Sequence, residues 1–208
     1  WKNCDREWRE EFIYFLMVDR FHDDHERRPV DATGKTAGFG SEEQLKISCG
    51  GTIRGITRHL GYIKELGCTS LWLSPVFENN EESYHGYAIQ DYTRIDKRFG
   101  TKEDLAELVD TAHAMDMRVF LDIVLHHSGN NWYYPEKHDY YYYDGAVFPF
   151  GEWRYEDKPM PVELRNPDLY WRKGQIRNFD SYPETREGDF QRLKTFKNDD
   201  SPEALYVQ

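Results

Sequence analysis

The sequence predicts an α/β fold with a parallel sheet. Three observations carry that expectation: apolar runs of strand length recur three times, helical periodicities separate them, and each separation is long enough for a right-handed crossover. The order is β-α-β-α-β. In parallel α/β proteins, sites are built at the carboxyl ends of the strands.

The first strand is Phe12 to Val18 (FIYFLMV), a continuous apolar run stopped by Asp19 and Arg20, the pattern of a strand buried on both faces. Residues 22–48 read as a polar loop with Gly34, Gly38 and Gly40, leading to Gly50-Gly51. Ile53, Ile56, Leu60 and Ile63 then recur at three- and four-residue steps on one helical face, and Gly67 supplies the stop. Thr69 to Leu73 is a second strand, ended by Ser74-Pro75 because proline withholds a ladder donor. Thr101 to Asp104 can cap a helix whose stripe is Leu105, Leu108, Val109, Ala112 and Met115. Arg118 to Leu125 is the third strand, with Asp122 inside it.

Beyond His127 the regular pattern stops. Residues 128–190 hold the Tyr140 to Tyr143 run and six of the nine prolines, with no sustained period, and read as an irregular insertion. Residues 191–208 are polar, with a helix expected near Pro202. No repeat of 20–50 residues is evident.

Composition excludes several function classes. With 27 Lys+Arg against 38 Asp+Glu the 208-residue chain carries a formal charge of −11, which leaves no basic excess to neutralise phosphates and argues against nucleic acid. Aromatic content of 16%, including 15 Tyr, is unlike a disordered chain. No run nears the roughly 18 to 20 apolar residues of a membrane span, so no membrane role is expected. The chain starts at Trp1 without a leader, which suggests a processed product or an internal piece of a longer protein. Cys4, Cys49 and Cys68 are too few and too irregularly spaced for a disulfide framework or zinc site.

Several residues carry possible chemistry. Asp122 in an apolar strand is costly unless paired, so it is either a structural ion pair or a site carboxylate. His126 and His127 follow it directly, as hydrogen-bonded structure or as ligands. Tyr84-His85-Gly86-Tyr87 is either a surface turn or the wall of a cleft for a ligand with flat apolar faces and many hydroxyls, as sugars have. The Tyr140 to Tyr143 run is a sugar platform or insertion core. His22-Asp23-Asp24-His25 looks metal-like, yet four successive side chains cannot all face one ion, and no metal site is expected there.

In order and spacing, these segments resemble the alpha-amylase family of glycoside hydrolases. The matching pieces are Phe15-Leu-Met-Val-Asp-Arg-Phe21, Leu71-Trp-Leu-Ser-Pro75, Tyr84-His-Gly-Tyr87 with Asp91, Ile95-Asp96 and Phe99-Gly-Thr101, and Asp122-Ile-Val-Leu-His-His127. The resemblance implies an α/β fold comprising the first three strands of a (β/α)8 TIM barrel with an irregular insertion, domain B, after strand three. It divides the chain into 1–127 as the amino-terminal part of the barrel, 128–190 as domain B, and 191–208 as the return toward the barrel, ending before strand four.

The same resemblance implies roles. Tyr87 is the ring stacked under the sugar at the cleavage point, and His85 and His127 are imidazoles bonding its hydroxyls. Asp122 orients an arginine from strand four. The reaction is retaining cleavage or transfer at an alpha-glucosidic bond, by two carboxyl groups about 5 to 5.5 Å apart. These follow strands four and five in the family, so this chain is expected to hold part of the sugar site but no catalytic carboxylate, and to be inactive alone. The partners implied are an alpha-glucan or maltooligosaccharide, and the remainder of the polypeptide or another copy covering the open barrel. An extracellular or periplasmic setting is favoured.

No cofactor is expected. The family's calcium ligands include an Asn where this chain has His126 and an Asp where it has Arg192, an imidazole and a cation where a hard ion takes oxygen, so calcium is expected to be absent with the Arg192 charge in its place. A non-catalytic amylase-like scaffold or binding protein, and a transglycosylase of the same family, are the competing functions. A free carbohydrate-binding module fits the aromatic residues but not the β-α-β-α-β order.

Overall fold

A computed structural model describes residues 6–25, 47–80, 83–135, 139–154 and 158–207. The expected loop glycines Gly34, Gly38 and Gly40, and Cys4, lie outside the described residues. The chain forms two compact units, Trp1–Gly86 with Arg94–Ile123, and Tyr87–Thr93 with Val124–Gln208.

The first unit contains the parallel sheet. Strands β1 (Ile13–Leu16), β2 (Ser70–Leu73) and β5 (Arg118–Leu121) lie in the order β1-β2-β5, with Phe15 opposite Trp72 and Trp72 opposite Phe120. A short helix, α1 (Val18–Phe21), follows β1. The crossover after it contains two helical segments, α2 (Ile53–Arg58) and α3 (Leu60–Glu65), interrupted at His59. The expected stripe of Ile53, Ile56, Leu60 and Ile63 is fully buried across both. Each such side chain contributes about 1.5–3 kcal/mol when taken from water. After α3 the chain turns at Gly67, whose φ of +87° suits a residue without a Cβ.

Close approach of backbone sets how α2 meets β1's end: a Cβ on Gly51 would lie 2.0 Å from the Val18 carbonyl oxygen. Strand β3 (Phe77–Asn79) pairs with β4 (Ile89–Ile95) beyond β2. The second crossover helix, α4 (Lys102–Ala114), starts on the expected cap. Thr101 accepts from the Asp104 amide while the Asp104 carboxylate accepts from the Thr101 amide. Leu108 and Ala112 join Leu16, Leu71, Leu73 and the α2–α3 stripe in one core.

Two strand expectations are corrected. The first strand covers Ile13–Leu16, and it is not buried on both faces: Ile13 and Phe15 remain 46% and 45% exposed, while Leu16 is buried. Helices cover one face of the sheet in this unit, and the row Phe15, Trp72 and Phe120 stands on the other. The third strand ends at Leu121, so Asp122 stands immediately after it and not inside it. The apolar run 119–125, broken only by Asp122, hid that end, since Ile123, Val124 and Leu125 stay apolar while leaving the ladder; Ile123 and Leu125 are exposed.

The second unit is built from short pieces around rings. Strand β6 (His127–Ser128) pairs antiparallel with β9 (Lys194–Thr195), and β7 (Trp132–Tyr133) with β8 (Glu152–Trp153). Trp132, Leu164, Leu169, Tyr170 and Phe196 form its core, with the Trp132 and Tyr170 rings 4.5 Å apart, edge to face. Helices α5 (Glu184–Glu187) and α6 (Pro202–Val207) complete it, the latter starting at Pro202 as its sequence suggested. Tyr141 is buried in the run 140–143, and Tyr140, Tyr142 and Tyr143 are exposed. Among the described residues no helix is long and apolar enough to cross a membrane.

Candidate sugar-binding site

Of the four residues singled out by sequence, two meet in the second unit and two belong to the first. The segment 87–90 runs beside 127–129: the Gly129 amide donates to the Ile89 carbonyl at 2.7 Å, and a Cβ on Gly129 would lie 2.9 Å from the Ala88 oxygen. That approach brings His127 to Tyr87. The His127 Nε2 lies 2.9 Å from the Tyr87 carbonyl oxygen, and because a carbonyl only accepts, Nε2 carries the proton. Its Nδ1 is 3.1 Å from the His126 Nδ1, leaving His127 as the acceptor there.

The His127 carbonyl in turn accepts from the Tyr92 hydroxyl at 3.0 Å. Burial of that hydroxyl, and the neighbouring Tyr170, push the Tyr92 phenol well above its ordinary range, so it stays a donor. The Phe190 ring lies parallel to the His127 imidazole, 6.2 Å between centroids, with Phe179 edge-on to Phe190 at 5.4 Å. Both phenylalanines are exposed, which sequence reading did not single out; their one signal was an aromatic residue in an otherwise polar stretch. His126 has its pKa lowered by desolvation, against the pull of the Asp189 charge.

In the first unit, His85 is half-buried with its Nε2 3.0 Å from the Ser83 hydroxyl and its ring edge-on to Tyr84. Burial lowers its pKa, and the Arg98 charge lowers it further, so the imidazole is held neutral. Gly86 has φ +88°, and a Cβ there would lie 2.3 Å from the Pro75 oxygen; its own carbonyl accepts from the Asn79 side-chain amide at 3.0 Å. Asp122 is half-buried, its amide donating to the Leu73 carbonyl at 3.0 Å. Its carboxylate therefore stands at the carboxyl end of the parallel sheet.

The other carboxylates of the sequence pattern serve as staples. Asp19 is buried and accepts from the amides of Cys49 (2.8 Å) and Gly50 (3.2 Å), and from the Ser48 hydroxyl, tying the return of the loop to β1's end. Asp91 accepts from the amide and hydroxyl of Thr93. Asp96 is grasped by Arg98 at 2.9 and 2.6 Å. Burial would raise the Asp96 pKa, but Arg98 and the Arg98 and Asn79 amides outweigh it and hold the group ionised.

The run 22–25 points to separate partners. His22 meets His59 with ring centroids 4.0 Å apart and planes tilted by 37°, and Asp24, at φ 69°, pairs with Arg58 at 2.7 Å. No group of three or more His, Cys, Asp or Glu among the described residues stands close enough to hold a metal ion.

The sequence model "Alpha amylase, catalytic domain" matches residues 15–179. An alpha-amylase of Streptomyces lividans is 36% identical over 152 residues, which are 68% of this chain and 16% of that protein. A cyclomaltodextrin glucanotransferase of Klebsiella oxytoca is 32% identical over 185 residues, 85% of this chain and 26% of the relative. The crystal structure of an alpha-amylase from Geobacillus thermoleovorans, complexed with acarbose, superposes with a TM-score of 0.66 at 30% identity, over 98% of this chain and 37% of that one. The chain thus spans well under half the length of each of these three relatives.

Proposed function

Because the chain belongs to the alpha-amylase family of glycoside hydrolases, as a partial α/β fragment of its catalytic domain, we propose that it supplies part of the sugar-binding site of a retaining alpha-glucan hydrolase. In this reading β1, β2 and β5 are the first three strands of a (β/α)8 barrel. Residues 128–190 are domain B, inserted after the third, and 191–208 return toward the barrel. His85 and Asp122 of the first unit, and Tyr87 and His127 of the second, are the residues proposed to contact the sugar.

The observation that carries the reading is the hydrogen bond from His127 to the Tyr87 carbonyl. It fixes the backbone that bears the ring. A pyranose presents an apolar face to such a ring, and a ring held by its own main chain loses little freedom when the sugar arrives. A neutral His85 can accept from or donate to a hydroxyl, whereas an imidazolium could only donate. Asp122, at the carboxyl end of the sheet, is placed to orient a cation from a following strand. Substrate positioning is then what this half of the site contributes to the rate.

The nucleophile and the acid/base are proposed to come from the remainder of the polypeptide, which also covers the exposed rings of Phe15 and Trp72 on the sheet. The 208-residue chain alone is then inactive. Hydrolysis and transfer to a sugar acceptor share this half of the site.

The test is kinetic. In the complete enzyme Tyr87→Ala should lower kcat/KM on maltooligosaccharides by about a hundredfold through lost positioning. The chain alone should release no reducing sugar. Unchanged turnover and affinity in Tyr87→Ala, or hydrolysis by the 208 residues unaided, would refute the assignment.

A further inference from the structure

A charged pair lies inside the second unit, behind the strand pairing that carries His127. Asp189 has no exposed surface and Lys194 is 3% exposed. The Lys194 Nζ stands 3.4 Å from the Asp189 Oδ2. That same oxygen accepts from the Tyr134 hydroxyl at 2.6 Å, and Oδ1 accepts from the Thr195 amide at 3.1 Å. The Tyr134 oxygen accepts in turn from the Gly174 amide, and the Asp189 amide donates to the Gly174 carbonyl. The ammonium also faces two rings, 4.5 Å from the Tyr134 centroid and 5.2 Å from that of Trp132.

This is the neighbourhood that the family resemblance reserves for calcium. The Phe196 amide donates to the His126 carbonyl at 3.0 Å, the Thr195 amide donates to Asp189, and Arg192 is two residues from Lys194, so the pair stands beside the two positions where calcium ligands were expected and are replaced. Calcium takes six to eight oxygens at about 2.3–2.6 Å. The residues present do not fit it. Among the described residues no group of three or more acidic, histidine or cysteine side chains converges there, both Asp189 oxygens already accept from donors of the chain, and Lys194, Arg154 and Arg192 bring further positive charge.

We infer that the Lys194 ammonium is the resident cation of the second unit, a covalently attached charge that neutralises Asp189 where the family pattern calls for a bound divalent metal. The unit then keeps its fold with no metal to lose. Arg192, which the sequence offered for this task, is exposed, and the buried partner of the carboxylate lies two residues further on. Burial pushes the Asp189 carboxyl up and the Lys194 amine down, and against it stand their mutual attraction, the three donors on the carboxylate, and the two ring faces on the ammonium. The inference is independent of the sugar-binding reading, since it concerns folding alone.

The experiment follows thermal unfolding of the full chain by near-ultraviolet circular dichroism, with amide hydrogen exchange on peptides covering residues 186–197. EDTA and excess CaCl2 should each leave the midpoint and the exchange rates unchanged. Lys194→Met should lower the midpoint by several degrees and speed exchange in those peptides. Lys194→Met combined with Asp189→Leu should recover much of the loss, because it removes the stranded carboxylate along with its cation. A wild-type midpoint raised by several degrees with calcium, or lowered by EDTA, would overturn the inference. So would a Lys194→Met variant as stable as the wild type, or a double variant no better than the single one. If Lys194→Met does not fold, the double variant and the wild-type metal titration still decide.

Discussion

The Glu11 carboxylate lies 3.1 Å from the Arg118 guanidinium with none of its side chain exposed, and it joins the amino ends of all three parallel strands. Glu11 precedes β1, Arg118 opens β5, and the same carboxylate accepts from the hydroxyls of Thr69 (2.7 Å) and Ser70 at the start of β2. Arg6 adds a second guanidinium at 3.3 Å. Burial would raise the Glu11 pKa, but the hydroxyls and the two arginines together hold it below its ordinary value of 4.5.

A group whose folded pKa is depressed stabilises fully above its unfolded value, and that contribution is lost as pH falls through the folded value. Glu11→Gln should therefore cost about 1–3 kcal/mol near neutrality, by analogy with hydrogen bonds to charged groups. Urea unfolding midpoints of wild type and variant, measured from pH 7 downward, should converge in acid below pH 4.5. A gap that persists unchanged at the lowest pH would contradict the account.

The second prediction concerns His85. Burial and the Arg98 charge lower its pKa from the ordinary 6.5, so the folded chain resists protonation. For an imidazole shifted this way, its share of stability is complete above 6.5 and declines as pH falls from there toward the folded value. An NMR titration of the His85 ring should give a midpoint below 6.5. A midpoint at or above 6.5 would remove the basis for a neutral imidazole at the sugar site.

Gly86 separates His85 from Tyr87 in a conformation that L side chains rarely adopt, with the Pro75 oxygen in the space a Cβ would need. Gly86→Ala should destabilise the protein by about 1–3 kcal/mol through backbone strain. In the complete enzyme it should also raise KM more than Gly→Ala at Gly145, where a Cβ meets open space at a similar φ of +80°. Equal effects of the two substitutions on KM would show that the position has no special bearing on the site.

The rings of Phe15 and Trp72 meet edge to face at 5.0 Å on the exposed face of the sheet, 45% and 41% accessible. Apolar rows of this kind promote association. In sedimentation experiments the 208-residue chain should self-associate, and Trp72→Lys should shift it toward monomer. The same change in the complete enzyme should lower its unfolding midpoint, since a charge would then be placed against covering residues. No change in either measurement would argue that this face stays bare.

The helices were legible residue by residue. Ile53, Ile56, Leu60 and Ile63 are buried as their spacing implies, and the Thr101–Asp104 cap forms as written. The break at His59 was not, because the apolar stripe continues straight across it. Asp122 was legible as a carboxylate near a strand end, but not on which side of that end it falls, because Ile123, Val124 and Leu125 prolong the apolar run past the last ladder pair. The meeting of His127 with Tyr87, forty residues apart, was readable only through the family pattern, and that pattern could not say that the contact is made through a carbonyl and not through the ring.

What the chain's order of residues settles is local: helix faces, caps, turns that need glycine, and strands that follow one another in parallel. These depend on repeats of 3.6 and 2 residues and on side-chain to backbone bonds a few positions long, so a short window contains the whole cause. The pairings of Glu11 with Arg118 and of Asp189 with Lys194 belong to folding in three dimensions. The first joins residues over a hundred positions apart, and the second, though close in sequence, gains its significance from the water excluded around it. Charge alone marks neither pair, since Arg192 and Lys194 read alike on paper and only burial separates the exposed cation from the enclosed one.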